Sequence, residues 1–551
     1  MATMNFKYTS VLSVCLLLLL SFTGCYKDRS TPAVFVNNDP NAKDPRVGYI
    51  TIDSIRKSYI YSALEQLEIK PLVESSFEDD DLEYQWTLYS QSDPKKKRFE
   101  IGTDKNLSYA ITIAPGRYTG FLEVRSKSSD LSSSASFQLF ISRFKGFFVL
   151  KETAEGSKIT EVDSYSIPED GSENVLNANI MEPSLGRKVE GTPAVLDISY
   201  NRFFLDPDSL AAGVKFETVG HLASVLTKEG DIYMMQTRNF KEVMPKTGQR
   251  FYLPIEGTPK YYRNISSVYS TLLLSDIGVF KAVLHASFNN FTRPGFFSKP
   301  LYDNYDPSIV FTGSPHLFGT SLGYAYWDPK LKAPIFGFDA QMSTVDVDAK
   351  EESVQGIDPA KLNVEPIFGG SFYGSGANEE ATFFLFRSLA DKKHYLYYFT
   401  PKQGWGTLTK REEVTSAKLK TATLFAVNSG RSVSSAPYLY YLSGNKVYAY
   451  NIQAKENDRE IRLPGMGTDE KITYMGCQYF FEGNSDPKSD FDYFIVATQK
   501  GNTYTVYMYS LLGGIPDGEP KIKFSGEGRF VDVQYASPDY TNRSSHSVLY
   551  H

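Results

Sequence analysis

Cysteine is nearly absent from this chain of 551 residues, which holds only Cys15, Cys25 and Cys477. Two of the three lie in the first 25 residues, so the body of the chain carries one thiol and cannot form an intramolecular disulfide. A chain this long buries enough surface to need none. Cys477 stands in the strand-like run Tyr474-Met475-Gly476-Cys477-Gln478-Tyr479 and reads as a buried, inert thiol. Histidine is scarce as well: six residues, with no His-Glu-x-x-His spacing for a helical zinc site. The segment around Ser375 is not a Gly-x-Ser-x-Gly elbow, because Tyr373 occupies its first glycine position, and there is no Gly-Lys-Ser/Thr phosphate loop. No metal or cofactor is expected. Basic blocks are lacking too. With 58 Lys+Arg against 64 Asp+Glu the net charge is -6, which points away from nucleic acid. Lys95-Lys96-Lys97-Arg98 follows Asp93-Pro94 and reads as a solvated hairpin turn. Long apolar runs are limited to residues 11–20, too short to span a bilayer.

That run follows Lys7 and leads into Ser21-Phe22-Thr23-Gly24-Cys25-Tyr26. A basic residue, a short apolar region and small residues before a cysteine form a secretory signal, and the junction resembles a bacterial lipobox. The resemblance implies cleavage after residue 24 and lipid on Cys25, enough for stable anchoring without a transmembrane helix. Lys27-Asp28 resembles the surface-export signal of Bacteroidetes lipoproteins, so the outer membrane, facing outward, is the expected address. Residues 25–46, rich in Asp, Asn, Pro and Lys, read as a lipidated tether. Asp53-Ser54-Ile55 and Asp208-Ser209-Leu210 resemble short Bacteroides O-glycosylation sites, which makes Ser54 and Ser209 the candidate hydroxyls.

What is abundant is Tyr and Phe, 38 of each, with 40 Gly and 28 Pro as punctuation; this is an all-β composition. In residues 47–142 the strands are short and alternate. Glu83-Tyr84-Gln85-Trp86-Thr87-Leu88-Tyr89 places Tyr84, Trp86 and Leu88 on one face. A Pro115-Gly116 turn then feeds a second alternating strand around Phe121-Leu122-Glu123-Val124. A central-strand Trp followed by such a turn fits an immunoglobulin-like sandwich and resembles a PKD domain. The run Glu78-Asp79-Asp80-Asp81 is consecutive rather than spaced for calcium and reads as a loop cap.

Residues 143–551 repeat hairpins about every 50 residues, as propeller blades do. In 438–451 two apolar strands flank a Ser-Gly-Asn turn. The expectation is a β-propeller of about seven or eight blades, with a long sandwich array as the alternative. The oxygen-rich stretches 303–307 and 484–492 lack an EF-hand's glycine and distal Glu, and read as Asx turns.

A lipobox, a PKD-like module and a propeller-like remainder together resemble the PKD-like family of Bacteroidetes surface lipoproteins. The resemblance implies an accessory subunit of an outer-membrane uptake system, partnered with a SusC/SusD-type transporter and its lid lipoprotein. The expected role is non-enzymatic binding of a polysaccharide or peptide. Tyr326, Trp327 and Trp405, each near Gly or Pro, are the expected exposed stacking rings. The alternative is a surface glycan hydrolase or lyase with a propeller catalytic domain, which needs two converging carboxylates. Asp197, Asp231, Asp276, Asp339 and Glu365 are the acids near strand-like stretches.

Overall fold

The computed structural model describes residues 48–92, 97–129, 131–168, 173–204, 218–243, 261–266, 270–283, 306–312, 323–338, 354–372, 381–402, 405–428, 437–452, 458–481, 491–538 and 546–550. Two compact units separate, one built on residues 68–109 and 117–139 and the other on 140–551. Among the described residues no helix is long and apolar enough to cross a membrane.

The N-terminal strands are β1 (Ile50–Asp53), β2 (Ser58–Ser62), β3 (Gln66–Ile69), β4 (Leu72–Ser75), β5 (Leu82–Ser90), β6 (Arg98–Gly102), β7 (Leu107–Ala110), β8 (Gly116–Ser126) and β9 (Ser132–Ser142). They form a five-stranded sheet in the order β2-β9-β8-β5-β6 and the two-stranded pairs β1-β4 and β3-β7. Alternation assigns the faces. Trp86, Leu88, Leu122, Val124, Phe137 and Leu139 are buried. Trp86 donates its indole N–H to the Asp104 carbonyl at 2.8 Å and meets Phe137 edge-on. Gly120 opposes Leu88 and leaves room for the Phe137 ring, whose nearest atom would stand 2.2 Å from a Cβ there. The acidic run folds as a single 3-10 turn at Asp79–Asp81. Asp81 accepts hydroxyl hydrogen bonds from Ser126 (2.6 Å) and Ser128 (2.8 Å), which hold its carboxyl below the ordinary value.

From residue 146 onward the chain builds seven antiparallel sheets among the described residues. The first pairs β10 (Gly146–Glu152) with β11 (Ile159–Ser166) on one side and with the late strand Arg529–Ala536 on the other. The remaining six lie in residues 193–236, 261–283, 306–338, 364–413, 424–460 and 471–550. One strand of each packs beside one of the next: Arg529–Ala536, Pro193–Phe204, Tyr261–Ser266, Asp306–Thr312, Val364–Phe372, Leu424–Val427 and Lys471–Phe481, which returns to Arg529–Ala536. That is the ring of a β-propeller, closed by pairing the end of the unit to its beginning.

Consecutive residues go to opposite faces of a strand, and here both faces are covered. Phe383 and Leu385 join one core cluster, while Phe384 and Phe386 join another. A buried ion pair lies within the same ring. Lys151 on β10 reaches Asp163 on β11 at 2.7 Å and donates to the Glu527 carbonyl at 2.8 Å. Asp163 also accepts from the Tyr504 hydroxyl (2.5 Å) and the Asn179 amide (2.8 Å), so both carboxylate oxygens are engaged.

Candidate functional site

The face of the sandwich sheet opposite its core carries a different population. On β5 the residues out of phase with Trp86 and Leu88 are Thr87 and Tyr89; on β8 they are Thr119, Phe121 and Glu123. The pairing register sets them in a lattice. Tyr89 lies between Arg98 of β6 and Thr119 of β8, and Thr87 lies between Glu100 and Phe121. Tyr89 and Phe121 are therefore diagonal neighbours, and their rings meet edge to face, 5.8 Å apart at 82°. Gln91 closes one side, donating its amide to the Thr119 hydroxyl at 3.1 Å and to Gln138 at 2.5 Å. Ser132, Ser133 and Ser134 of β9 complete a groove of about 970 Å³. Its single cation, Arg98, stands 3.4 Å from Glu100. The groove thus offers two half-buried rings, hydroxyls that both donate and accept, one amide and one charge of each sign.

This groove was not among the expected sites, although its signal is in the sequence: aromatic residues at the phase opposite to the core residues of two adjacent strands. The expected rings fall elsewhere. Trp327 is not in an exposed loop. It lies in the strand Gly323–Asp328, is 3 % exposed, and packs 5.1 Å from Phe386 inside the propeller core. The Gly and Pro that suggested a loop are the strand's first residue and the turn beyond its end. Asp328 forms that turn by accepting the Lys330 and Leu331 amides at 2.8 and 2.9 Å. Tyr326 shares the strand and pairs with Ile335, and Trp405 opens the strand Trp405–Glu413 opposite Lys402, so both are strand rather than loop residues. The side chains of both lie outside what the structure describes.

The four described acids are spread over three sheets. Asp197 is buried in an edge strand of the second sheet, and Asp231 lies in a turn of the same sheet. Asp276 is in an exposed turn of the third sheet, and Glu365 forms an exposed ion pair with Arg387. Asp339 falls outside the described residues, as do Cys25, Lys27, Asp28 and Ser209. Ser54 is exposed with a φ of 66°, between β1 and β2. Cys477 is fully buried, and burial pushes its thiol well up.

One acid was misassigned. Asp492 lies in the strand Phe491–Lys500, opposite Tyr479 in the seventh sheet, and not in an Asx turn. Both its carboxylate oxygens are inaccessible and without a hydrogen-bond partner among the described residues. Burial raises its carboxyl to about 7, and its charge adds to the upward push on Cys477 and Tyr440. The residue as a whole is half-buried, and no second carboxylate stands among its described charge partners.

Comparison with known proteins gives a family match over the N-terminal part of the chain and distant likenesses among solved structures. The model of the PKD-like family matches residues 41–193. No curated protein sequence matches the chain. Among solved structures, the chain is similar to a quinoprotein alcohol dehydrogenase-like protein from Bacteroides thetaiotaomicron, with 12 % identity over 88 % of this chain and 97 % of that one, at a TM-score of 0.40. It is also similar to the Dos1 propeller, with 9 % identity over 66 % of this chain and 82 % of that one, at 0.31. At TM-scores this low the two likenesses carry no argument about activity.

Proposed function

We propose that this protein is a non-enzymatic binding subunit displayed on the outer-membrane surface, tethered through lipid on Cys25 and working beside a SusC/SusD-type transporter. The observation that carries this reading is the groove on the solvated sandwich sheet. It is concave, of ligand size, and lined by rings and hydroxyls rather than by a titratable pair. A protein that captures and hands over a ligand needs complementarity and no bond-breaking group. The lipobox supports the anchor, and Lys27-Asp28 supports export to the outer leaflet. On this reading the sandwich faces the ligand and the propeller is a rigid body for assembly.

Two measurements test the proposal. Cys25→Ala is expected to abolish acylation and move the protein from the membrane to the soluble fraction; retention of the variant at wild-type level would rule out the anchor. Affinity purification of the native protein from solubilised outer membranes is expected to bring down a TonB-dependent barrel and its lid lipoprotein. Recovery of the protein alone, under conditions that keep other transporter pairs together, would remove the assembly role.

A further inference from the structure

We infer that the groove across β6, β5, β8 and β9 takes a neutral glycan chain laid across the strands, with Phe121 and Tyr89 as its stacking platform. The inference rests on the reading of the groove as the capture site and assigns its ligand class. Three features of the lattice decide it.

The first is direction. The lining comes from four adjacent strands, whose backbone N–H and C=O groups pair with one another in the sheet. A peptide taken up by strand addition needs a free edge and unpaired backbone groups. β6 is the sheet's edge, but the two rings and the threonines that flank them stand on β5 and β8, each paired on both sides, so recognition there falls to side chains.

The second is their chemistry. Thr87 and Thr119 flank the two rings in register and present groups that donate and accept alike. A sugar ring is built the same way, with hydroxyls round its rim and C–H groups on its faces. The edge-to-face pair covers a ring face with only the edge of its partner, which leaves aromatic surface for an apolar sugar face.

The third is charge. Arg98 is engaged with Glu100, and Glu123 is the groove's own acid, so among the described residues its lining has no cationic excess to draw a polyanion. The volume, about 970 Å³, lies at the upper end for small-molecule sites and suits several linked sugars rather than one.

The test uses the full chain, solubilised in detergent, in affinity electrophoresis through gels containing soluble starch, a soluble β-glucan, galactomannan, xylan or polygalacturonate. A parallel calorimetric titration uses a casein digest. We expect retardation by at least one neutral polysaccharide, insensitive to added NaCl. Phe121→Ala should weaken it about thirtyfold, the effect of removing a stacking anchor. Tyr89→Ser serves as the second variant, and both are checked for an unchanged melting transition. Binding confined to polygalacturonate or the digest, and lost in Phe121→Ala, would overturn the neutral-glycan assignment while keeping the groove as the capture site. Retardation by a neutral glycan that survives both substitutions would overturn the groove itself. Binding to none of the probes would overturn both.

Discussion

The two units treat the same residue types in opposite ways. In the sandwich, aromatic side chains on the five-stranded sheet divide by phase: Trp86 and Phe137 go into the core, while Tyr89 and Phe121 stay half-exposed on the other face. In the propeller the division disappears where the strands are fully described, as in Ala381–Ser388 and Phe491–Lys500, because those sheets are covered on both sides. Phe494 and Val496 enter one cluster, and Ile495 and Ala497 enter the next. An aromatic ring in the sandwich is therefore available to a ligand when it is out of phase with the core. In the propeller strands, phase decides only which neighbouring sheet it packs against. Composition gives no hint of this, since both units are rich in Tyr and Phe; the discriminating quantity is whether apolar residues alternate or run on.

The contrast can be broken at Trp327 and Phe121. Trp327→Ala should remove a fully packed ring from the propeller core and cost about 3–5 kcal/mol, read as a lower denaturation midpoint, with glycan binding unchanged where the protein is folded. Phe121→Ala should do the reverse, leaving the midpoint nearly in place. If Trp327→Ala weakens binding at full stability, the functional surface belongs to the propeller after all.

Asp492 sharpens the propeller side of the comparison. Its folded carboxyl titrates at about 7, against 3.8 for an unperturbed aspartate. The folded state therefore binds the proton more tightly than the unfolded chain. Stability falls as pH rises between those two values, and the whole penalty, about 4 kcal/mol by linkage, is present above 7. Asp492→Asn should raise the denaturation midpoint above pH 7 and change it little below pH 4. Equal effects at both ends would show that the carboxyl is solvated.

Within the sandwich core the expected effect is smaller. Gly120→Ala places a methyl against the Phe137 ring, which is wedged among Tyr59 and Trp86, and should cost about 1–3 kcal/mol. A midpoint equal to wild type would mean that the ring rotates away freely.

Much of this was legible in the chain. The hairpin joining Tyr438–Ser443 to Lys446–Asn451 stands where its Ser-Gly-Asn turn placed it, with Gly444 at φ 64°. The Trp86 strand showed its inner face by alternation alone. Trp327 was misjudged because Gly and Pro mark the ends of a strand as often as the body of a loop, and only the neighbouring sheet reveals that the ring is covered. Asp492 was opaque for a similar reason: its surroundings come from Cys477 on the adjacent strand and Tyr440 in the sheet before. Glu161 is a third case. Burial raises its carboxyl, yet it accepts the Val162, Met181 and Glu182 amides, a cap supplied by a strand to a turn that follows it twenty residues later.

The ring closure fixes an order of events in folding. Lys151 and its acceptor at Glu527 are 376 residues apart, so β10 emerges early and waits, one edge unpaired, until nearly the whole unit has formed. By chain length alone, joining such distant partners costs about 5 kcal/mol of configurational entropy. Pairing this remote also predicts slow acquisition of the native state. The other sheets form mostly from local hairpins as the chain appears, while the first waits for Arg529–Ala536. The strand Arg529–Ala536 then acts as the latch that turns a row of hairpins into one cooperative body, and until it docks the edge of β10 is the molecule's most exposed site for aggregation.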